Sequence, residues 1–173
     1  MQRIAIIGCC GAGKSTLAKQ LGSKLSLPVI HLDAYYWQPG WVETSTEDWI
    51  AKQNFLVKKE CWIIDGNNLQ TMDIRLSAAD TIIFLDFPRI LCLWRILRRY
   101  LKYKGFVRPD MADGCVEKLD WEFILYVWNF ARTQRQSVLS KISYYNHCKQ
   151  VIIFNRPQQV NSFLSQLDIS KLG

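Results

Sequence analysis

Residues 8–16 read Gly8-Cys9-Cys10-Gly11-Ala12-Gly13-Lys14-Ser15-Thr16, with the apolar run Ile4-Ala5-Ile6-Ile7 before them and Leu17, Ala18 and Leu21 at helical spacing after them. The stretch satisfies G-x-x-x-x-G-K-[ST], and it lies where that pattern has meaning, between a strand and the start of a helix. In that context the glycines let successive backbone N–H groups turn inward around phosphate oxygens, and the helix N-terminus adds a favourable field. Gly8, Gly11, Ala12 and Gly13 are expected to form the cradle, Lys14 to reach the β- and γ-phosphates of a nucleoside triphosphate, and Thr16 to contact the α-phosphate. Ser15 is expected to offer its hydroxyl to Mg²⁺. Cys9 and Cys10 sit at variable positions of the pattern. Either the helix N-terminus lowers their thiol pKa and makes the loop sensitive to oxidation, or they pack beneath it.

Outward from this loop, short Ile-rich runs at 3–7, 28–32, 61–64, 81–85 and 150–154 predict strands that are nearly continuous in hydrophobicity, as strands buried on both faces are. Helices are expected at 14–25, 46–59, 88–103, 119–142 and 157–167, with a shorter piece near 69–78. Pro88 and Pro157 suit the first turns of their helices, and Ser45 or Thr46 suits an N-cap. Strand–helix alternation with crossovers of this length implies a five-stranded parallel sheet with helices on both faces. The chain of 173 residues is about one domain long. Segment 104–118, punctuated by Gly, Pro and Asp, reads as a mobile excursion, and about 103–119 as a small helical lid.

Composition narrows the classes further. At 49% hydrophobic residues there is ample material for one core. No apolar run approaches the roughly 20 residues that span a bilayer, and Met1 leads directly into a strand without a secretory pattern. The expectation is a cytoplasmic protein. Six cysteines without a CxxC, and two histidines far apart, argue against both a disulfide framework and a zinc site. The net charge of +7 suits an anionic partner. Much of it is focused in Arg95, Arg98, Arg99, Lys102, Lys104 and Arg108.

In an open parallel sheet, ligands bind beyond the carboxyl ends of the strands. Asp33 follows the second strand and is expected to accept a proton from a substrate hydroxyl or to orient that substrate. Asp65 follows the third and is expected to hold a Mg²⁺-bound water. Asp86 follows the fourth and reads rather as a helix cap. Arg95, Arg98, Arg99 and Lys102 fall at i, i+3, i+4 and i+7 and share one helix face. Arg132 and Arg135 recur on the helix after the excursion, so two arginine pairs are expected to face a common region beneath a closing lid.

Together these residues resemble the adenylate-kinase-like branch of the P-loop kinases over essentially the whole chain. More narrowly, His31-Leu32-Asp33-x-x-Tyr36-Trp37-x-Pro39-Gly40-Trp41, the turn Asp65-Gly66-Asn67 and Arg108-Pro109-Asp110-Met111 look like a bacterial group labelled "DNA topology modulation protein" or FlaR-like. The resemblance implies a three-layer P-loop NTPase fold that binds ATP and Mg²⁺ at Gly11, Gly13, Lys14, Ser15 and Thr16. It implies that Arg95 and Arg99 serve at the base of the lid and Arg132 or Arg135 beyond it. Asn155-Arg156-Pro157 would stand at the adenine. Two features depart from the pattern. Nucleoside monophosphate kinases carry an arginine where Tyr36 stands, and another after Asp-Gly where this chain has Asn67-Asn68-Leu69. The implied activity is transfer of the γ-phosphoryl group of ATP to a small acceptor: a hydroxyl compound, a nucleoside or a nucleotide. The alternatives are a nucleotide-dependent DNA-binding regulator and an ATPase with a vestigial acceptor site.

Overall fold

The computed structural model describes residues 1–169. Five strands form one parallel sheet: β1 (Arg3–Gly8), β2 (Val29–His31), β5 (Trp62–Asp65), β6 (Thr81–Leu85) and β7 (Gln150–Phe154), in the order β2-β5-β1-β6-β7. β1 lies between β5 and β6, pairing Ile6 with Asp65 on one side and Gly8 with Leu85 on the other. That register delivers the phosphate-type loop and Asp65 to the same end of the sheet. The strands form as expected because Ile4, Ile6, Ile7, Ile63, Ile64, Ile82 and Ile83 are buried on both faces of the layer.

Helices α1 (Lys14–Leu25), α3 (Thr46–Val57), α4 (Met72–Ala78), α5 (Arg89–Tyr103) and α8 (Pro157–Ile169) follow the expected segments. Ser45 is the N-cap of α3, its Oγ accepting from Asp48 N at 3.2 Å. Pro88 stands one residue ahead of α5 as its N-cap. No helix among the described residues is long and apolar enough to cross a membrane.

Three local features differ from the expectation. The single helix over 119–142 is two, α6 (Trp121–Thr133) and α7 (Arg135–Tyr145), broken at Gln134 with φ −120° and ψ −32°. α6 packs on α5 while α7 packs on α4, which one straight rod does not do. After β2 the chain forms a short helix α2 (Leu32–Tyr36) and then a hairpin, β3 (Trp37–Gln38) with β4 (Val42–Glu43). Trp41 in its turn takes φ 65°, a strained conformation for a bulky side chain. It is held there by Nε1 donating to Val116 O at 2.8 Å and by edge contact with Trp37. Finally, the excursion between α5 and α6 contains no helix. It is made of turns tied by two bridges, Lys104 to Glu117 and Val107 to Val116.

Instead of hanging free, the excursion is fastened down. Arg108, Met111, Cys115 and Glu117 are buried. The hairpin grips it through Gly40 N to Gly114 O at 3.2 Å and Cys115 Sγ to Gln38 O at 3.2 Å.

Arg75 on α4 is completely buried, its guanidinium donating to Gly66 O and Asn68 O, each at 3.2 Å, and to Gln53 Oε1 at 3.2 Å. Burial lowers its pKa to about 10, against the pull of Asp33, Asp73 and Asp65. This one side chain fixes the turn after β5 from beneath. Arg75→Ala leaves two buried acceptors and a part-buried one without a donor, and a cavity, so we expect a loss of roughly 3–5 kcal/mol. Urea denaturation measures it, and a loss below about 1 kcal/mol would refute this role.

Candidate active site

The loop at 8–16 is a tight cradle between β6 and α5. Gly8 (φ 146°) and Gly11 (φ 79°) both have positive φ, and a Cβ on either would lie 2.7 Å from Leu85 O or 2.4 Å from Cys92 O. Only glycine fits at either place. Lys14 Nζ curls back to Cys9 O at 3.0 Å, and Arg95 Nη1 reaches down from α5 to Ala12 O at 2.8 Å. Anion-sized space therefore opens in front of an N-terminal helix turn flanked by two cations, which fits the phosphates of a nucleotide.

Beside it, Ser15 Oγ donates to Asp65 Oδ2 at 2.7 Å, and His31 Nδ1 stands 2.5 Å from Asp65 Oδ1. The tip of β5 and the start of α1 thus meet through a hydroxyl and a carboxylate. Asp110 of the excursion adds a second carboxylate next to Ser15. Burial raises the Asp110 pKa, but the Arg108 guanidinium and the Ser15 hydroxyl outweigh it and hold the group below the usual range. This set of hard oxygen donors fits Mg²⁺, which takes one or two carboxylates and completes its shell with water and phosphate oxygens.

Asp33 stands in the first turn of α2, where its C=O accepts from Trp37 N, and its carboxylate makes no hydrogen bond or ion pair with the other described residues. Its carboxylate is open to solvent inside the cleft, yet protein encloses it on most sides. That loss of surrounding water raises its pKa, with Lys14 pulling it down, Asp65 pushing it up and Arg108 pulling it down.

Over these groups lies an ion-pair cluster. Glu117, its side chain 1% exposed, accepts from Arg99 Nε at 2.7 Å and faces Arg108 Nε at 2.6 Å, while Arg108 Nη1 donates to Asp110 Oδ2 at 3.2 Å. The second Glu117 contact is short in distance but poorly aligned, leaving Arg108 Nε without a hydrogen bond. Its pull is coulombic.

Two cavities meet here. One, of about 480 Å³, runs from the loop past Phe87 and Arg95 to Pro157, Val160 and Asn161. The other, of about 470 Å³, lies on the far side among Tyr36, Trp37, Trp41, Phe123, Met111 and Asn67. Cys10, Lys14, Asp33, Arg99 and Arg108 line both. A groove of about 550 Å³ beside them gathers Lys19, Arg95, Arg98, Arg99, Lys102 and Arg108, so the expected single basic face of α5 exists.

Not every candidate converges. Arg135 forms a bidentate pair with Asp86, Nε and Nη2 lying 2.8 and 2.7 Å from its oxygens, and so clamps α7 to the end of β6. Arg132 points away on the exposed side of α6. Neither lines the cavities around the loop, because the break at Gln134 turns the two arginines apart. Arg156 is exposed, its N–H donating to Gln159 Oε1 at 3.1 Å, and the cavity wall there is Pro157, Val160 and Asn161 instead. The hydrogen bond with Cys92 and then burial push the pKa of the Cys9 thiol up, and burial pushes that of Cys10 up. Glu117, Asp110 and Asn67 are the site residues the sequence did not mark as such. Only the Arg108-Pro109-Asp110 and Asp65-Gly66-Asn67 spacings hint at the last two.

The architecture has solved counterparts. A shikimate kinase from Acinetobacter baumannii bound to shikimate superposes with TM-score 0.60 at 17% identity, covering 99% of this chain and 93% of that one. A shikimate kinase from Bacteroides thetaiotaomicron gives 0.56 at 19%, covering 99% of both chains. The fold is that of the small P-loop kinases. A deoxyadenosine kinase from M. mycoides agrees at 0.53 and 15% identity, covering 98% of this chain and 97% of that one. No protein-family model matches the sequence, and no curated protein does.

Proposed function

We propose that the chain is an ATP·Mg²⁺-dependent phosphotransferase acting on the hydroxyl group of a small molecule. The observation that carries this is the junction of the two cavities. Lys14 and the free carboxylate of Asp33 stand where a triphosphate in one cavity would meet an acceptor in the other. Gly11, Gly13, Lys14, Ser15 and Thr16 would bind the phosphates, and Asp65 with Ser15 would hold the Mg²⁺ that neutralises charge on them. Arg95 and Arg99 stabilise the transferring group from α5. Asp33 takes the hydroxyl proton as the acceptor oxygen bonds to the γ-phosphorus, and the electron pair of the breaking P–O bond leaves with ADP. Arg132, Arg135 and Arg156 have structural or surface positions here and are left out of this scheme.

Fold likeness to kinases of shikimate and deoxyadenosine supports the reaction type. The absence of both acceptor-phosphate arginines supports a hydroxyl acceptor over a phosphate. The test is ADP release by purified protein with ATP·Mg²⁺ and a panel of hydroxyl compounds, confirmed by the mass of the phosphorylated product. Acceptor-dependent ADP release is expected. A protein that fails to bind ATP would end the proposal. The basic groove on α5 favours one competing reading, a nucleic-acid-binding regulator. Duplex-DNA affinity that falls steeply with salt would support it, and no binding at low salt would remove it.

A further inference from the structure

Resting on that reading, we infer that the acceptor is an uncharged alcohol carrying a flat ring with a hydrogen-bond donor, of nucleoside type, and that phosphorylated and carboxylated acceptors are disfavoured. The argument is one of charges already spent. Four cations line the acceptor cavity: Lys14, Arg99, Arg108 and Lys118. Arg99 and Arg108 are held by Glu117, and Arg108 also by Asp110. Lys118 lies 3.7 Å from Asp120 and 5.4 Å above the Trp41 ring. Lys14 belongs to the phosphate loop. An anionic acceptor would therefore find no uncommitted cation among the described lining residues, and it would face the unpaired carboxylates of Asp33 and Glu122.

What the cavity does offer is rings and, buried in its wall, one acceptor atom without a partner. Tyr36, Trp37, Trp41, Phe123 and Tyr126 form its walls, and Trp41 is kept in its left-handed turn by contacts to the excursion and to Trp37. A flat ring suits such walls. Asn67 Oδ1 is buried without a partner, while its Nδ2 reaches Tyr126 Oη at 3.4 Å. A buried lone carbonyl oxygen is costly unless a ligand N–H or O–H meets it. The ligand thus supplies a ring, a donor for Asn67 and a hydroxyl for Asp33.

The experiment compares adenosine, guanosine, cytidine and thymidine with their 5′-monophosphates and with shikimate. Binding is read by tryptophan fluorescence in the presence of ADP, and turnover by ADP release. At least one nucleoside is expected to bind and be phosphorylated, with its monophosphate and shikimate at least about tenfold weaker. Asn67→Leu should weaken the nucleoside about tenfold and leave ATP affinity unchanged. Glu117→Gln frees two arginines and should narrow the gap between nucleoside and monophosphate. Preference for a monophosphate or for shikimate overturns the inference while leaving a kinase. Failure of every nucleoside to bind to protein that binds ATP overturns it too. Loss of ATP binding itself would instead remove the underlying reading.

A separate observation carries a second proposal. Ile90, Trp94, Leu97 and Leu101 repeat at helical spacing along α5, opposite its buried Cys92 and Ile96, and all four are exposed, Ile90 by 71%. α6 packs alongside and adds Trp121, Leu125 and Trp128, with Arg89 Cζ 3.9 Å over the Trp128 ring joining the two stripes. These seven side chains leave on the order of 900 Å² in water, about what each partner buries in a stable interface. We propose that α5 and α6 pair with the same helices of a second copy. Light scattering after size exclusion should give a dimer, and Trp94→Glu with Leu101→Glu should give a folded monomer. A wild-type monomer at about 100 μM, or binding to phosphatidylglycerol vesicles by that monomer, overturns it.

Discussion

Alanine in place of Lys14 is expected to lower acceptor-dependent ADP release by roughly 10²–10³-fold, the loss found when a donor aimed at developing charge is deleted. The ammonium stands at the junction of both cavities and is positioned by Cys9 O at 3.0 Å, so its charge is fixed before any ligand arrives. Nothing else on the loop replaces it. Arg95 and Arg99 act on the same charge from α5, one tied to Ala12 O and the other to Glu117, so neither moves into the place of Lys14. The same substitution removes the cation that holds the Asp33 pKa down, so residual activity should need a higher pH than wild type. ATP affinity falls as well, since the β- and γ-phosphates lose their direct partner. Steady-state ADP release, calorimetric ATP binding and circular dichroism separate these effects from unfolding. Normal turnover by a folded Lys14→Ala protein would end the assignment of this loop as the donor site.

The glycine-rich loop and the strand-end carboxylates beside it were legible because local rules dictate their geometry. A glycine pattern between an Ile-rich strand and a helix permits few geometries, and the strand-end positions of Asp33 and Asp65 follow from a parallel sheet. Ile-rich runs of nearly continuous hydrophobicity likewise marked all five strands of the sheet. What stayed hidden was decided by tertiary packing. The break at Gln134 has no glycine or proline to announce it, and it exists because α6 and α7 rest on different helices. It turned Arg135 toward Asp86, a pair separated by 49 residues that no spacing rule connects.

The excursion shows the same limit from the other side. Its Gly, Pro and Asp content reads as mobility, but Glu117 and Arg108 bind each other inside it, and the Trp37–Glu43 hairpin grips it from outside. Turn-rich sequence predicts irregular backbone; whether that backbone moves depends on what its side chains find. Here the grip also helps to wall the aromatic-lined cavity. The aromatic run 35–37 pointed toward such a pocket, but its partner wall, Phe123 and Tyr126, arrives from a helix some 90 residues away in sequence.

Asp33→Asn is expected to cut turnover by about 10²–10⁴-fold, the range for a positioned general base, with ATP affinity nearly unchanged. Asparagine keeps the shape and removes the proton acceptor. In the wild type, enclosure by protein and the charge of Asp65 raise the Asp33 pKa above its usual 3.8, against Lys14 and Arg108. Asp110 adds a further upward push. Turnover should therefore fall on the acid side through a pKa higher than that of an ordinary aspartate, and the variant should lose that limb of the profile. Stability gives an independent readout with the opposite sign. Because the folded pKa is raised, the folded state binds more protons than the unfolded chain between 3.8 and the raised value. Stability then falls as pH rises through that window, and at neutral pH the ionised Asp33 costs the fold. Asp33→Asn should accordingly melt higher than wild type at pH 7 while losing its activity, the trade expected of a residue kept for chemistry. An aspartate with a purely structural role would show the reverse, a lower melting temperature with turnover reduced only in proportion to unfolding.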